Sequence, residues 1–369
     1  GPNRKLDIHA DVIMTTYAVM RLDQEELAQQ KWDVVILDEA QTIKNPDSKI
    51  AKAVYQISSP FKLALTGTPI ENRLDDLWSI FHFLNRGFMH QRKDFQRDYI
   101  KPISLGDKEV SERLRKRVKP FVMRRLKSEV AKDLPPRTNI VLYNELDEQE
   151  RITYSAIELA SRQDILEKMK VNSNVMQMLE SILRLRQAAC HTAMLPGYDK
   201  SGSSKVDLLI DHLETCIAGG HKALIFSQWT RFLDLIQTQL EEKKYRFLRI
   251  DGSTKDRHKI VDTFQTDNDY PFLLLSLKAA GIGLNLTAAD HVFIMDPWWN
   301  PAVEDQAADR TYRIGQDKPV MVYKIVTKNS IEEKIIDLQN KKKDLVGSVM
   351  DGGKHYYQLT RKEILGLLD

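Results

Sequence analysis

The chain has 369 residues, 42% hydrophobic and 29% charged, with two cysteines and a net charge of +3. That apolar fraction excludes wholesale disorder, 16 Gly and 13 Pro exclude a collagenous or low-complexity chain, and no run of 18 apolar residues marks a membrane-spanning helix. The overall charge is too mild to argue for nucleic acid, and the N-terminus shows no basic-then-apolar signal pattern.

In chain order, Asp11–Thr16 is a short β-rich run, Asp33–Leu37 a continuous apolar run expected of a strand covered on both faces, and Lys62–Thr66 a third strand broken by Gly67 and Pro69. Helical periodicity lies between them at Lys49–Ile57. Strand–helix alternation with buried strands predicts a parallel α/β sheet. From Leu74 the apolar positions Leu77, Ile80, Phe81 and Leu84 predict a helix, and charged helical sequence continues toward Arg137. Within Arg113–Arg137, ten of 25 residues are basic and two acidic, a net +8 that suits a phosphate backbone or a solvated helix face equally. Leu134-Pro135-Pro136 predicts a hinge or linker. Asp147–Ala193 reads as helical, with an apolar stripe of Met176, Leu179, Ile182, Leu183 and Leu185, and Pro196–Ser204 as a flexible connection.

A second α/β unit follows. Ala223–Phe226, Phe247–Ile250, Phe272–Leu275, Val292–Met295 and Val320–Val326 are five predicted strands. Helices are predicted at Phe232–Lys243, Lys255–Phe264 and Glu304–Tyr312, and a charged amphipathic helix at Ser330–Val349. Cys190 and Cys216 fit buried structural thiols in a reducing compartment. Cys190-His191 and Cys216…His221 match no standard zinc-ligand spacing, so no zinc is expected.

The chemistry-bearing segments follow the predicted strands, where ligands of parallel sheets bind. Asp38-Glu39 sits at the tip of Val34–Leu37. Two acids there suit metal-assisted phosphate chemistry, Asp38 holding Mg2+ through water and Glu39 orienting a water; an acidic pair opening a surface helix is the plainer alternative. Thr66-Gly67-Thr68-Pro69 ends the next strand, and alone is a turn. Gly281-Ile282-Gly283 follows Phe272–Leu275 with Ser276 and Lys278, and its glycines allow backbone N–H groups close to a phosphate. Gln306, Arg310 and Arg313 would share one helix face, and two guanidiniums there suit a polyphosphate; a salt-bridged surface helix is the plainer alternative.

These segments occur in a fixed order: LDEAQ at 37–41, LTGTPIENRLDDLWSIFHFL at 65–84, FVMRRLKSEV at 121–130, ALIFSQWT at 223–230, SLKAAGIGLNLTAADHV at 276–292 and DPWWNPAVEDQAADRTYRIGQ at 296–316. Together they resemble the Swi/Snf-type ATPases, double-stranded-DNA translocases of the helicase-like superfamily with two RecA-like lobes, in their bacterial or archaeal branch. The resemblance implies that Asp38 and Glu39 are the Mg-and-water motif and that Gly67 and Thr68 are the coupling motif. It implies that Arg310 and Arg313 are arginine fingers beside Gln306, with Gly283 in the nucleotide-approaching loop. Thr15, Thr16, Ser227, Gln228, Trp229, Ser276 and Lys278 match DNA-groove positions, joined by Arg124 and Arg125 of the basic stretch, while Trp298 and Asn300 match a segment supporting the coupling.

The implied fold is α/β with tandem RecA-like lobes, the first incomplete. Residues 1–73 would be the end of lobe 1, 74–140 a first helical protrusion with basic linker, 141–204 a second protrusion, 205–328 lobe 2, and 329–369 a brace helix and tail. No G-x-x-x-x-G-K-[ST] run occurs, and Gly353-Lys354 precedes His355. The chain is therefore expected to be part of a longer protein and inactive toward ATP alone; Ala280, where the family usually has Gly, is a smaller departure. The implied partners are ATP, Mg2+ and double-stranded DNA carrying a bound protein, handled by a cytoplasmic, nucleoid-associated monomer with no membrane role. A non-catalytic DNA-binding or regulatory fragment and a strand-separating helicase are the rival readings.

Overall fold

A computed structural model of the chain describes residues 10–67, 74–123, 125, 127–131, 133–170, 175–198, 202–280, 283–298 and 301–340. The chain divides after Val122 into two units.

In the first unit, β1 (Val34–Leu37) and β2 (Phe61–Ala64) pair in parallel, with Val34 opposite Phe61 and Leu37 opposite Ala64. Leu37, Ala40, Ile43, Ala51, Val54 and Phe83 form the core beneath them. Ser48 opens the helix Lys49–Val54 by accepting from the Ala51 N–H, as an N-cap hydroxyl should. The expectation of a strand covered on both faces fails. Side chains alternate across a strand, and the outer face leaves Val34 49%, Ile36 56% and Phe61 58% exposed. The predicted strand at Asp11–Thr16 is also absent: this segment forms no ladder, and Thr16 instead caps the helix Tyr17–Leu22. The helix predicted from Leu74 spans Leu74–Leu84, and Leu74, Leu77, Trp78 and Phe81 pack with Phe95, Tyr99, Leu114 and Val118. Its buried Asp75 is compensated by Arg92, which donates from Nη2 at 2.7 Å.

The second unit is built on a six-stranded, wholly parallel sheet in the order β3-β8-β7-β4-β6-β5. Its strands are β3 (Arg137–Asn144), β4 (Ala223–Ser227), β5 (Phe247–Ile250), β6 (Phe272–Ser276), β7 (His291–Ile294) and β8 (Val320–Thr327). β4 and β6 are buried at every position. Ile225, Phe272, Leu274 and Phe293 face Leu209, Leu213, Phe232 and Ile236, from the helices Ser204–Ala218 and Thr230–Glu242. Leu224, Phe226, Leu273 and Ile294 face the opposite layer, with Phe264, Leu286 and Ala307. The all-apolar runs are thus explained by cover on both faces.

Two elements of this unit depart from expectation. The segment after Pro136, expected as a hinge or linker, is a strand: Arg137–Asn144 is β3, in register with β8 from Arg137–Val320 to Asn144–Thr327. Its inward and outward positions alternate around exposed Val141 and Tyr143, so it carried no long apolar run. The helix Ser204–Ala218 takes up the last residue of the predicted flexible connection. The helical pair Glu148–Lys170 and Val175–Cys190 does form, and Tyr154, Ile165, Ile182 and Leu185 pack with Ile331 and Ile335 of the helix over 331–340. Leu183 of the predicted stripe is 39% exposed. Both cysteines are buried free thiols.

Candidate functional site

The first unit concentrates its chemistry where β1 and β2 end. Pairing continues beyond both strands: Leu65 N–H donates to the Leu37 carbonyl at 2.7 Å, and Ala40 N–H to the Leu65 carbonyl at 2.9 Å. That stitch holds the Asp38-Glu39 loop over Thr66-Gly67. Gln41 then bridges the two segments. Its Nε2 donates to Glu39 Oε2 at 2.6 Å, and its Oε1 accepts from Thr66 Oγ1 at 2.7 Å. Glu39 adopts a left-handed conformation (φ 48°), which costs a non-glycine residue on the order of 1–3 kcal/mol and is the kind of strain found at functional loops. Asp38 is exposed, and its Oδ1 accepts from the Glu39 N–H at 2.9 Å. Tyr17 Oη donates to the Asp38 carbonyl at 2.7 Å, and burial, with both acids beside it, pushes its phenol well above the ordinary value. Gly67 has open space around it. Thr68 lies outside the described residues. Thr15 and Thr16 are exposed, and the Thr16 hydroxyl accepts from the Val19 N–H.

In the second unit, β4 is followed in the chain by strands on one side of it, and β7 begins the strands on the other. This reversal of strand order falls between β4 and β7, and the carboxyl ends of strands at such a reversal are the usual ligand position in open parallel sheets. Ser227 and Asp296 meet there. The buried Ser227 hydroxyl donates to Asp296 Oδ1 at 2.6 Å and accepts from the Trp229 N–H at 3.0 Å, while Gln228 N–H donates to the same carboxylate at 3.2 Å. Ser227 therefore shapes the loop from within. Gln228 and Trp229 are half-buried. Arg186 stacks its guanidinium on Trp229 and Trp298, 5.7 and 5.4 Å from the ring centroids, and donates to the Pro297 carbonyl at 2.8 Å. Burial pushes the Asp296 carboxyl up to about 7, against the pull of Arg186 at 4.0 Å. Nearby, fully buried Lys205 donates to both Glu332 oxygens at 2.6 Å and to the Met295 carbonyl at 3.0 Å.

Gln306, Arg310 and Arg313 do not share a helix face. The helix is Pro301–Ala308, and both arginines lie in the turns beyond it. Tyr312 N–H returns to the Ala308 carbonyl, and Gly315 takes a φ of 97°. The turns nevertheless bring the arginines to the glycine loop: Leu286 N–H donates to the Arg310 carbonyl at 3.0 Å, and Arg313 Nη1 to the Leu284 carbonyl at 3.5 Å. Gln316 clamps this arrangement by donating to the Ala289 carbonyl at 2.8 Å. Gly283 and Lys278 are exposed, whereas Ser276 is buried and accepts from the Ala279 N–H. Arg124 and Asn300 lie outside the described residues; Arg125 is exposed. The basic stretch is partly neutralised at its far end, Lys127 pairing with Asp309 and Arg137 with Asp305, each at 2.9 Å.

Gln41, Arg186, Asp296 and Gln316 were missed as site residues. Gln41, Asp296 and Gln316 stood inside the recognised motifs, whereas Arg186 carried no local signal.

Acids at one pair of parallel strand tips, and a glycine loop with two arginines at another sheet, define the helicase-like ATPases. The chain belongs to the SNF2-related family: the SNF2-related domain matches residues 2–194, and the helicase conserved C-terminal domain residues 204–315. It is 36% identical over 363 residues to an uncharacterized ATP-dependent helicase of Mycoplasma genitalium, covering 97% of this chain and 34% of that protein. It is 36% identical over 378 residues to YwqA of Bacillus subtilis, named as an ATP-dependent helicase/translocase, covering 96% of this chain and 40% of that protein. The SWI2/SNF2 ATPase core domain of Sulfolobus solfataricus aligns at 35% identity over 95% of this chain and 73% of that one, with a TM-score of 0.50. The fold is accordingly that of a core with two RecA-like lobes. The chain spans only 34–40% of the length of these two curated relatives. Among the described residues no helix is long and apolar enough to cross a membrane.

Proposed function

We propose that this chain is the motor portion of a longer protein that uses ATP hydrolysis to translocate on double-stranded DNA and displace or remodel bound protein. The observation that carries this reading is the Glu39–Gln41–Thr66 relay, which ties the acidic loop to the Gly67 segment at adjacent strand tips. Glu39 orients the attacking water and accepts its proton. A change at that carboxylate is passed through the Gln41 amide to Thr66, and so to the segment containing Thr68. Asp38, exposed at the strand tip, suits a hydrated Mg2+, which when bound neutralises phosphate charge. Arg310 and Arg313 stabilise charge developing on the transferred phosphoryl group, with Gly283 and Gln306 beside the nucleotide.

Lys278, Arg124, Arg125, Thr15 and Thr16 are assigned to the DNA backbone, with the Ser227–Trp229 loop set in place by Asp296. Such contacts recognise phosphates, so binding is sequence-tolerant and weakens steeply with salt. The protein acts as a monomer on the nucleoid, and the sequence has no phosphate loop to support hydrolysis by the 369-residue chain alone.

The test is ATP hydrolysis by the longer protein with duplex DNA, single-stranded DNA or RNA. Duplex DNA should stimulate most. Glu39→Gln should lower kcat by roughly 10²–10⁴-fold, and Arg310→Ala by roughly 10³–10⁵-fold. Normal hydrolysis by Glu39→Gln, or stimulation by RNA in preference to duplex DNA, overturns the assignment.

A further inference from the structure

At the amino ends of β4, β7 and β8 lies a second cluster of chemistry-bearing side chains that the motor reading does not use. His221 stands two residues before β4, Asp290 immediately before β7, and His291 is the first residue of β7. The Asp290 side chain is buried, 1% exposed, and sits between the two imidazoles. His221 Nδ1 lies 2.7 Å from its Oδ2, and His291 Nδ1 lies 2.7 Å from its Oδ1. The three donor atoms are all within 4.8 Å of one another.

Several features hold this arrangement. Asp290 N–H donates to the Lys222 carbonyl at 3.2 Å and the Asp290 carbonyl accepts from Met321 N–H at 2.8 Å, so its backbone is pinned from both neighbouring strands. Tyr323 stacks on His291 with centroids 5.9 Å apart. Gly219 makes room for His221: a Cβ there would lie 2.6 Å from the imidazole Cδ2. Its φ is −84°, so the backbone does not require glycine and the space does. The Lys318 ammonium competes for the carboxylate, 3.6 Å from Asp290 Oδ2, on a side chain that is 54% exposed and can swing outward.

We propose that His221, Asp290 and His291 form a binding site for one divalent transition-metal ion of the zinc class. Two imidazole nitrogens and a carboxylate suit a borderline ion, and the carboxylate can ligate with both oxygens to give four donors. Binding moves each imidazole proton from Nδ1 to Nε2, leaving both Nδ1 lone pairs for the metal, so no co-reactant is needed. Neither cysteine contributes. The ion would staple the starts of β4 and β7, roughly 13 Å along β4 from the Ser227 end, given a rise of ~3.3 Å per residue. Its role is to stabilise the sheet rather than to act in hydrolysis.

The test uses the whole 369-residue chain, stripped with a chelator and titrated with Co2+, then with Zn2+ in competition. One equivalent of Co2+ should bind with the visible ligand-field absorption of a low-coordinate site, and Zn2+ should displace it. His291→Ala and His221→Ala should weaken binding by more than the ~10–100-fold typical of outer-shell changes, and Gly219→Ala should fall within that range. Metal at a hundredfold excess over its Kd should raise the unfolding midpoint by roughly 5–10 °C. His221 is 40% exposed, so its variant should fold, which circular dichroism checks. Nitrogen-detected imidazole NMR on the unaltered chain provides a readout that needs no variant: two histidines should become metallated at Nδ1. Absence of a saturable one-equivalent phase, binding unchanged by both histidine variants, or metallation at Nε2 overturns the proposal.

Discussion

The two parallel sheets solve the same problem by different means. β4 and β6 have no exposed position, whereas β1 and β2 turn Val34, Ile36, Phe61 and Leu63 toward solvent on one face. The loops at their carboxyl ends differ accordingly. In the second unit, buried charges hold the Ser227 and Asp296 loops: Arg186, Lys205 and Glu332 are each no more than 3% exposed at the side chain. In the first, the Glu39 loop is held by backbone stitches and a side-chain relay on a half-buried surface. An apolar strand therefore records the capacity for burial, and the surrounding layers decide whether burial occurs.

The sharpest way to break this contrast is to unpair the buried charge. Lys205→Met should destabilise the second unit by about 3–5 kcal/mol in denaturant unfolding, because Glu332 is left buried without a cation; adding Glu332→Leu should recover much of the loss. Next comes the core itself. Leu274→Ala in β6 should cost about 2–5 kcal/mol through lost burial and a residual cavity.

Acidity tests the same region more finely. The folded-state pKa of Asp296 lies above its ordinary value of 3.8, at about 7, amid Arg186, Lys205 and Glu332. Its contribution to stability is therefore full below pH 4 and declines as pH rises through 7, since the folded state keeps a proton that the unfolded chain has lost. His191 has the opposite sign: burial pushes it down from 6.5 to about 4, so its contribution is lost as pH falls from 6.5 toward 4. Asp296→Asn should abolish the decline toward neutral pH and leave the rise from His191, as read by unfolding free energies across pH 4–8.

In the first unit the expected effects are smaller. Glu39→Gly should stabilise by up to about 1 kcal/mol by relieving the left-handed strain, while removing the group assigned to the attacking water. Ile36→Thr, on the exposed face, should change stability by no more than ~0.5 kcal/mol. A cost above 2 kcal/mol at Ile36 would show that this face is covered in solution and would end the contrast.

Much of this molecule was legible from local pattern. Val34–Leu37, Phe247–Ile250 and Phe272–Leu275 are strands because β-rich apolar runs bounded by turn residues have few alternatives, and Leu74–Leu84 is a helix because its apolar positions recur at helical spacing. The motif order likewise placed Asp38, Glu39 and Gly283 at strand tips and the loops that follow, whereas Arg310 and Arg313, expected on a helix face, lie in turns beyond Ala308. Pairing energy and neighbour geometry do not reside in any short window. Strand β3 exists because β8 offers it an eight-residue ladder, and the helix before Arg310 stops at Ala308 because the following turns dock on Leu284 and Leu286. Gln41, Arg186 and the His221–Asp290–His291 cluster acquire their partners only when distant segments close. The sequence by itself determined which segments could be strands, helices and chemistry-bearing loops, since those depend on periodicity and residue type. Tertiary structure alone decided which faces are buried and which charged groups meet, since both depend on contacts between residues far apart in the chain.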